Sequence, residues 1–348
     1  MTRAPLVSVV MAVHNDAQYV RAAIASILLQ SLHDFEFIIV DDGSTDRSAA
    51  ILEGYAREDS RIRLLTNARN VGLTRSLNIG LDAVRGSFVA RMDADDIALP
   101  GRLATQVGVF RRLPDIVLCG TNTIRIDAAG KRLAVGEWPE DRGILGWYAL
   151  FRPAVAHPTA MYPASLVSEG VRYDERLRTA QDYELWSRLL QHGDATVVQE
   201  PLLLCRLHRQ SITGARRAEQ ADTAAEICRA NLLRRFPASF SRPGSAQATQ
   251  IAAFLFSDTF TDEAAPIVAM LLALEEAYLR SLGTPAPRVH RAVRRLTVRW
   301  IVQALLTNRK LGLHGSLQAI QPLSGRFPAL LSEGGRLVER QLKAKIPR

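Results

Sequence analysis

The sequence predicts an α/β fold in its first part and an all-helical region after it. Short apolar runs alternate with amphipathic segments through the first half, which is typical of βαβ units that build a sheet. From about Gly214 onward only helical periodicity remains. An apolar fraction of 47% with 23% charged residues is ordinary for a globular protein and excludes wholesale disorder. We therefore expect an α/β domain over residues 1–215 and a basic helical region over 216–348.

Each element is predicted from its own pattern. The first strand is the apolar run from Leu6 to Val13, and the helix after it carries apolar side chains at helical spacing. A capping role for Ser44 or Thr45 is expected at the second helix. The predicted strands are 6–13, 35–40, 61–66, 88–92, a strand around 117, a hairpin of 123–127 with 131–135, and 202–207. The predicted helices are 17–30, 44–57, 73–84, 100–113, 182–191, 218–235, 246–256, 262–282 and 288–306, while 150–162 and 171–182 are predicted to be irregular.

Polar and acidic residues follow three of these strands. His14-Asn15-Asp16 follows the first strand, Asp41-Asp42-Gly43 ends the second, and Asp93-Ala94-Asp95-Asp96 follows the fourth. Open α/β sheets bind ligands beyond the carboxyl ends of their strands, so we expect these exits to line one crevice. Three such ends in the first hundred residues indicate a nucleotide site.

The turn at Asp93–Asp96 is the most informative stretch. Carboxylates crowded at the exit of a buried strand repel one another unless a positive charge lies between them. Two carboxylates two residues apart on a turn can face one hard cation, and Mg²⁺ or Mn²⁺ prefers such oxygen ligands. Taken alone, a solvated acidic turn that caps the next helix explains the same residues. The second acidic exit favours the cation.

The ordered motifs resemble one known family. Val7–Asn15, Asp41–Ser44, Asn70–Leu73 and Ala90–Asp96 together resemble the family 2 glycosyltransferases of the GT-A fold, typified by bacterial enzymes that assemble polysaccharides. The resemblance continues through three later motifs and covers roughly residues 5–213. Each motif alone is weakly specific, whereas the ordered set is strong. The later motifs are His157–Thr159, Gln181–Trp186 and Arg206–Ser211.

The resemblance implies a Rossmann-like, mixed and mostly parallel sheet flanked by helices, with Mn²⁺ or Mg²⁺ as cofactor. Asp93 and Asp95 resemble the DxD metal motif, in which Asp95 is the expected direct ligand and Asp93 serves donor binding. The metal would act as a Lewis acid on the departing nucleoside diphosphate. The donor is expected to be a nucleotide sugar, with a UDP-sugar favoured.

The resemblance also assigns the nucleotide contacts. Asp42 resembles the residue that hydrogen-bonds the base, Asp41 supports the turn, and Ala12 matches a position that touches the nucleoside through its backbone. A simple strand-to-helix turn with a capping Ser44 explains the same residues, and both interpretations can hold together.

Asp182 is the candidate general base. It matches the second acid of the family's Glu-Asp pair, but Gln181 stands where the first acid is expected. Without that neighbouring charge the pKa of Asp182 is raised less, so the base is weaker unless burial compensates. The alternative, a helix-capping role for Asp182, stays open.

Two histidines complete the candidate site. His208 resembles the late histidine that closes over the diphosphate and sometimes ligates the metal, accompanied by Arg206 and Ser211. An isolated surface histidine is an equally good interpretation. His157 is expected to shape the acceptor side or to serve structure alone.

Charge separates the two regions of the chain. Residues 216–348 contain 20 Lys and Arg against 10 Asp and Glu, which accounts for the whole net charge of +9. The segment 288–310 contains seven basic residues and no acid, with Arg291, Arg295 and Arg299 on one helical face. This basic amphipathic pattern fits an anionic membrane surface, with the apolar face in the bilayer. A helix packed on its neighbours with a solvated arginine face is the alternative. Nucleic-acid binding is disfavoured because aromatic residues are sparse there.

Cysteine spacing and hydropathy bound the location. Cys119, Cys205 and Cys228 are widely spaced, so a disulfide framework or zinc site is disfavoured and a reducing compartment fits. The first apolar run ends without a cleavage pattern, and no run of about 18 apolar residues predicts a spanning helix. We expect a cytoplasmic protein, with a peripheral place on the inner face of the cytoplasmic membrane left open.

The predicted function is an inverting, metal-dependent, non-processive glycosyltransferase of hexosyltransferase type. It would move a sugar to a hydroxyl of a glycan or lipid-linked acceptor in cell-surface polysaccharide synthesis. A processive synthase is disfavoured, because Leu296 replaces the glutamine of its usual motif before Arg299-Trp300. A nucleotidyltransferase is a second interpretation, although no glycine-rich phosphate loop lies in residues 10–20. A catalytically silent scaffold is a third, and Gln181 keeps it open.

Overall fold

The computed structural model describes residues 3–208, 217–240, 246–257, 260 and 263–308. These residues belong to two compact units. The first unit reaches Gly146 and resumes at Pro153 with the rest of the sheet. The second unit combines Trp147–Arg152 with the described residues from Arg217 onward. Nothing in the sequence pattern of Trp147–Arg152 indicated its membership of the second unit.

The first unit is built on one sheet, which contains nine strands within the described residues. The sheet runs in the order β3-β2-β1-β4-β8-β6-β9-β5, and β7 pairs with β6 outside this path. The strands are β1 (Val7–Val13), β2 (Phe35–Asp41), β3 (Ile62–Thr66), β4 (Phe88–Met92), β5 (Ile97–Ala98), β6 (Ile116–Ile126), β7 (Arg132–Gly136), β8 (Met161–Pro163) and β9 (Asp194–Arg206).

The direction of the strands divides the sheet. β3, β2, β1 and β4 are mutually parallel, so their carboxyl ends share one edge. β8 joins this half to β6 through antiparallel pairs on both sides. β9 pairs with β6 in parallel and with the short β5 in antiparallel direction. The mixed sheet with a parallel half confirms the predicted fold class.

Helices cover both faces of the parallel half. The alternate side chains Val7, Val9 and Met11 of β1 pack with Ile24 and Ile27 on one face. A helix carrying Gly80 lies on the other face, where an added Cβ would come within 2.7 Å of Val10 Cγ1. The helices of the first unit are α1 (Val20–Leu28), α2 (Ser48–Glu58), α3 (Leu73–Asp82), α4 (Arg102–Arg112), α5 (Arg142–Ala149), α6 (Ala164–Ser168) and α7 (Gln181–Leu189), of which α5 runs on into the second unit.

Several predicted boundaries were wrong. Helix α2 begins at Ser48, and neither Ser44 nor Thr45 caps it, because the Ser44 hydroxyl accepts the Asn15 N–H instead. β9 begins eight residues before the predicted strand, since its alternating first half is only partly buried. β5, β8, α5 and α6 were not predicted, because segments of two to eight residues leave little periodicity to detect.

The second unit is helical in its described residues. Its helices are α8 (Arg217–Arg235), α9 (Gln247–Phe256), α10 (Ala264–Ser281) and α11 (Pro287–Thr307). The apolar face of α11 is buried inside this unit, where Trp300 lies 5.0 Å from the ring of Phe151 and Thr297 accepts the indole N–H of Trp147. That face is therefore covered by protein and does not lie in a bilayer, contrary to the amphipathic membrane interpretation. The arginines on the opposite face are exposed.

Candidate active site

Three parallel strands end side by side at one edge of the sheet. Val13 at the end of β1 lies opposite Asp41 of β2, and Met11 lies opposite Met92 of β4. The chain therefore leaves β2 and β4 through acidic residues on either side of β1. The partly exposed Ala12 lies between them, as the predicted crevice requires.

The first acidic corner, which we call the nucleotide corner, consists of Asp41 and Asp42. Asp42 is 3% exposed, and its Oδ1 accepts the backbone N–H of Val71 at 2.8 Å and the Asn67 amide at 2.9 Å. Its Oδ2 accepts the backbone N–H of Gly72 at 2.9 Å. Burial alone would raise the pKa of Asp42, but these hydrogen bonds hold it below its ordinary value. Gly72 has φ +95°, a backbone conformation that favours glycine.

Asp41 supports the same corner from inside. Its Oδ1 accepts the N–H of Ser44 at 3.1 Å, and its backbone carbonyl accepts the N–H of Asn67 at 2.8 Å. The ring nitrogen Nδ1 of His14 lies 2.9 Å from the carbonyl oxygen of Asp42. The corner is thus a turn whose polar groups are largely satisfied by protein.

The second acidic corner, the acidic turn, consists of Asp93, Asp95 and Asp96. One oxygen from each carboxylate lies within 4.8 Å of the others. Each carboxylate has its own partner: Asp93 contacts Nη1 of Arg91, and Asp95 Oδ2 lies 2.9 Å from Nε2 of His208. Asp96 Oδ1 accepts the backbone N–H of Arg206 at 2.8 Å.

Burial and mutual repulsion raise the pKa values of carboxyl groups in the acidic turn. Burial first, and then the charges of Asp93 and Asp95, raises the pKa of Asp96 well above its usual value. Burial and the charge of Asp93 also raise the pKa of Asp95, although His208 opposes this. Asp16 at the exit of β1 is affected too, because burial and the charges of Asp95 and Asp93 raise its pKa to about 6. Four carboxylates therefore share one electrostatic environment.

The acidic turn fits a hard divalent cation. Asp96 is 2% exposed, and its Oδ2 has no hydrogen-bond partner among the described residues. A buried carboxylate oxygen without a partner is costly unless a proton or a cation compensates it. Mg²⁺ and Mn²⁺ bind carboxylate oxygens, and a cation here would relieve the repulsion among the acids. The residues present therefore fit the expected metal.

Arg206 and His208 hold the acidic turn from the end of β9. Besides its backbone contact to Asp96, Arg206 donates from Nε to the carbonyl oxygen of Asp95 at 2.9 Å. The guanidinium carbon of Arg206 lies 4.5 Å from the ring centroid of Tyr19, and the His208 ring lies 5.4 Å from the same centroid. Tyr19 therefore contacts both residues that bind the turn. Ser211 lies outside the described residues.

Asp182 is the second residue of α7 and does not cap the helix. The helix starts at Gln181 after Ala180, which has φ +52°, and no side chain caps its N-terminus. Asp182 Oδ1 accepts the N–H of Tyr183 at 2.8 Å. Burial raises the pKa of Asp182, while this hydrogen bond and the charge of Arg91 lower it in part. Burial thus shifts the pKa of Asp182 in the same direction as an acid at position 181 would have done.

Comparison with known proteins supports the resemblance. The sequence model described as Glycosyl transferase family 2 matches residues 8–161. An uncharacterized glycosyltransferase of Haemophilus influenzae is 32% identical over 241 residues, which cover 67% of this chain and 75% of that protein. The O-antigen biosynthesis glycosyltransferase WbnJ of Escherichia coli is 32% identical over 211 residues, covering 59% of this chain and 81% of that protein. The chain belongs to glycosyl transferase family 2.

The fold agrees with solved structures of glycosyltransferases. S. aureus TarS 1–349, solved in complex with UDP-GlcNAc, superposes with a TM-score of 0.55 at 14% identity and covers 97% of this chain and 92% of that chain. At such an identity the likeness concerns the fold, which is that of the GT-A glycosyltransferases.

In this family 2 glycosyltransferase, His157 belongs to a buried aromatic cluster rather than to a polar surface. Its Nε2 lies 2.8 Å from the Tyr173 hydroxyl, and its ring lies 5.9 Å from that of Trp186. Burial and the charge of Arg91 lower the pKa of His157 well below its ordinary value, so the ring is neutral. The structural alternative for His157 therefore has direct support.

Sequence reasoning placed Asp16 at the crevice without giving it a role, and it missed three residues that surround the site: Tyr19, Arg91 and Arg102. Burial alone would lower the pKa of Arg91, but the charge of Asp93 raises it above its usual value, so the guanidinium stays charged. Arg102 donates to the carbonyl oxygen of Arg91 at 2.6 Å, and burial lowers the pKa of Arg102 to about 10. A charged residue inside the apolar run of β4 was the available signal for Arg91. Tyr19 and Arg102 look like ordinary helix residues in the sequence.

Proposed function

We propose that this glycosyltransferase is an inverting, metal-dependent enzyme of hexosyltransferase type that acts non-processively. It would transfer a sugar from a nucleotide-sugar donor to a hydroxyl of a glycan or lipid-linked acceptor. The observation that carries the proposal is the acidic turn, whose three carboxylates lie within 4.8 Å of one another beside the nucleotide corner. The name of WbnJ, an O-antigen biosynthesis protein, supports a role in cell-surface polysaccharide synthesis.

The nucleotide corner would bind the nucleoside. Ala12 would contribute its backbone, Asp41 would hold the turn, and Asp42 would meet the base through Oδ2, which accepts one backbone N–H where Oδ1 accepts two donors. A UDP-sugar is favoured as the donor. The UDP-GlcNAc complex of TarS gives this choice only the support that a shared fold allows.

The acidic turn would bind the cation and the diphosphate. Asp95 would ligate Mn²⁺ or Mg²⁺ directly, and His208 would either join it or keep Asp95 oriented through their 2.9 Å contact. Asp93, which is ion-paired with Arg91, would help to bind the nucleotide sugar. A bound cation supplies Lewis-acid stabilisation of the leaving diphosphate. Arg206 keeps the backbone of the turn in place.

Asp182 would act as general base for the acceptor. Its pKa is raised by burial, which makes the carboxylate a better proton acceptor than a solvated aspartate. It would take the proton of the acceptor hydroxyl as that oxygen attacks the anomeric carbon opposite the nucleotide. This single displacement would invert the configuration at that carbon.

The first test is calorimetric titration of UDP, GDP and dTDP into the protein with and without Mn²⁺. We expect one nucleotide to bind in a metal-dependent manner and the Asp95→Asn variant to lose that dependence. The exposed Asp222 provides the matched control, since Asp222→Asn makes the same chemical change far along the sequence. Metal-independent binding that is equal in both variants would contradict the assignment of Asp95.

A second test separates catalysis from binding. The Asp182→Asn variant should bind nucleotide as the wild type does but turn over about 10²–10⁴-fold more slowly, which is the usual contribution of a general base. The measurement is release of nucleoside diphosphate from the donor that binds best, with the acceptor pool of a membrane extract. If the protein is a catalytically silent scaffold, even the wild type will release no nucleoside diphosphate.

The exposed arginines of α11 would direct the enzyme to an anionic membrane surface. Arg291, Arg295 and Arg299 are exposed and one helical turn apart, and no acidic residue lies in 287–307. Because the apolar face of α11 is covered, the attraction would be electrostatic, at about 1 kcal/mol for each arginine near the surface. The predicted continuation of this segment to Lys310 lies outside the described residues. No described helix is long and apolar enough to cross a bilayer.

Vesicle sedimentation tests this surface. Vesicles containing phosphatidylglycerol should pellet the protein and pure phosphatidylcholine vesicles should not, with loss of binding when the three arginines become glutamates. The matched control reverses Arg75, Arg111 and Arg229, which are also exposed and change the net charge equally. Equal losses in both triple variants would show that net charge alone, and not α11, is responsible.

A further inference from the structure

Buried polar atoms without partners are concentrated around the site. Among the described residues of the first unit, the buried side-chain nitrogens and oxygens that lack a hydrogen bond lie on four residues: Arg91, Asp96, Gln181 and Trp186. Native proteins satisfy most buried polar groups, so each exception calls for a ligand, an ion, a water molecule or a catalytic role. The acidic turn explains Asp96, and the other three residues need another explanation.

Arg91 is the strongest of the three. Its side chain is 2% exposed, and its Nη1 forms an ion pair with Asp93, yet its Nε has no hydrogen-bond partner among the described residues. A guanidinium has five N–H donors, and leaving them unused in the interior costs free energy. The charge of Arg91 acts on Asp182 as well as on Asp93. Arg91 therefore pairs with a carboxylate assigned to the donor, and its charge also acts on the carboxylate assigned to the acceptor.

Trp186 and Gln181 bring further unused groups to the same neighbourhood. Trp186 is 1% exposed and its indole N–H has no described partner, while its ring lies 5.9 Å from His157 and 6.0 Å from Tyr162. Both of these neighbours also sense the charge of Arg91. Gln181 is 7% exposed, has an unpartnered Oε1, and directly precedes the proposed base on α7.

The charges limit what these groups could bind. The Arg91 guanidinium is already paired with Asp93, and Asp182 directly follows Gln181 on α7, so these groups offer no net positive charge to an anion. Two N–H donors and one carbonyl acceptor are what hydroxyl groups need, because each hydroxyl both donates and accepts. A neutral, hydroxyl-rich ligand fits this set, whereas an acidic sugar would be repelled.

We propose that Arg91, Gln181 and Trp186 bind the sugar that is transferred, and that they select a neutral hexose or hexosamine over a uronic acid. This inference rests on the proposed glycosyl transfer and deepens it. Arg91 Nε and Trp186 Nε1 donate to sugar hydroxyl oxygens, and Gln181 Oε1 accepts from a hydroxyl. The glutamine in place of the family's acid contributes an uncharged acceptor next to Asp182.

Conservative variants test the proposal without removing the buried charge. Trp186→Phe deletes the indole N–H but keeps an aromatic ring, and Gln181→Met keeps the length of the side chain without its carbonyl. Each should weaken binding of UDP-GlcNAc about fivefold to tenfold in calorimetry with Mn²⁺ and leave binding of UDP within twofold. The controls are Trp138→Phe and Gln191→Met, which make the same changes at more exposed positions. UDP-glucuronic acid should bind the wild type less tightly than UDP-GlcNAc.

The outcomes separate this inference from the proposed function. If the wild type binds neither UDP nor GDP, and neither UDP-GlcNAc nor GDP-mannose, the proposed function itself is contradicted. If UDP binds but both variants hold UDP-GlcNAc as the wild type does, the unpartnered atoms bind water and the inference is overturned. Equal weakening of UDP and UDP-GlcNAc would assign a structural role and overturn it as well. Gln181→Met gives the answer alone if Trp186→Phe lowers the Tm, and tight UDP-glucuronic acid binding would refute the selectivity.

Discussion

The nucleotide corner and the acidic turn lie on either side of β1, and both present aspartates at the end of a parallel strand. They differ in how far hydrogen-bond donors of the protein satisfy the carboxylates. Asp42 accepts two backbone N–H groups and an amide from protein, which hold its pKa low. Asp96 accepts one backbone N–H and keeps a buried oxygen without a partner among the described residues, with its pKa raised. One corner is complete without a ligand and the other is not.

This difference shows how one sheet edge serves two tasks. A carboxylate that is already hydrogen-bonded fixes the loop around Val71 and Gly72, which would give the proposed nucleoside a rigid surface. Carboxylates that repel one another favour binding of a cation, because the bound metal removes the repulsion. Acidic residues at a strand exit therefore do not identify a metal site by themselves. The hydrogen-bond donors around the carboxylates decide whether a cation is needed to compensate them.

Removing Asp42 should have the largest effect on stability. Asp42→Ala removes the buried acceptor of the Val71 N–H and the Asn67 amide and leaves the Gly72 N–H only Asn70 Oδ1, so the free energy of unfolding should fall by about 3 kcal/mol. Asp96→Asn should change it by less than about 1 kcal/mol, because an amide resembles the protonated acid that the raised pKa favours. Urea denaturation of metal-free protein measures both, with the exposed Glu58→Ala as control. Equal losses in the two aspartate variants would remove the distinction between the corners.

Metal should stabilise the protein through the acidic turn alone. At Mn²⁺ concentrations 100 times the dissociation constant, the free energy of unfolding should rise by about 2.7 kcal/mol. Asp96→Asn and Asp95→Asn should lose most of this gain, whereas Asp42→Asn should keep it. Thermal unfolding with a series of Mn²⁺ concentrations provides the measurement. A gain that survives in Asp95→Asn would place the cation elsewhere.

The pH dependence of metal-free protein should have opposite signs at Asp42 of the nucleotide corner and at Asp16, whose pKa is raised by the charges of the acidic turn. The folded-state pKa of Asp16 is raised from 3.8 to about 6, so its contribution is present below pH 3.8 and is lost as the pH rises through 6. Asp42 has a lowered pKa, so its contribution is present above its unfolded pKa and is lost on acidification. Asp16→Asn should therefore raise stability above pH 6 by on the order of 2 kcal/mol. Urea denaturation of the wild type and of Asp16→Asn at pH 4.5 and 7.5 measures this gain. If the variant changes the free energy of unfolding equally at both pH values, the assignment to Asp16 is contradicted.

The sequence predicted the framework of this edge because its signals are local. The apolar runs of β1, β2 and β4 and the acids that follow them are contiguous, and the parallel order of α/β units brings their ends together. The resemblance to the family added His208 as a partner of the acidic turn, and His208 lies 2.9 Å from Asp95 although 113 residues separate them. No periodicity in the sequence indicates such a contact.

The unpredicted features are those that depend on distant parts of the chain. The hydrogen bonds of Asp42 come from a loop some 30 residues away, so the sequence could not distinguish its satisfied carboxylate from the unsatisfied Asp96. Arg91 is one residue of an apolar strand, and only the structure shows that its charge is buried and paired with Asp93. The roles of Asp182, Ala12 and His208 in the reaction remain predictions.

The smallest predicted effect concerns Tyr19, which supports the acidic turn without touching its carboxylates. Its ring lies under the Arg206 guanidinium and beside His208, and such a cation–π contact is worth about 0.5–1 kcal/mol. Tyr19→Leu should therefore weaken Mn²⁺-dependent UDP binding two- to fivefold, while Tyr19→Phe should restore it because the ring and not the hydroxyl makes both contacts. Metal-free stability should move with the ring as well, so the ratio of UDP affinities with and without Mn²⁺ is the decisive readout. If Phe and Leu behave alike in that ratio, Tyr19 packs against the turn without orienting it.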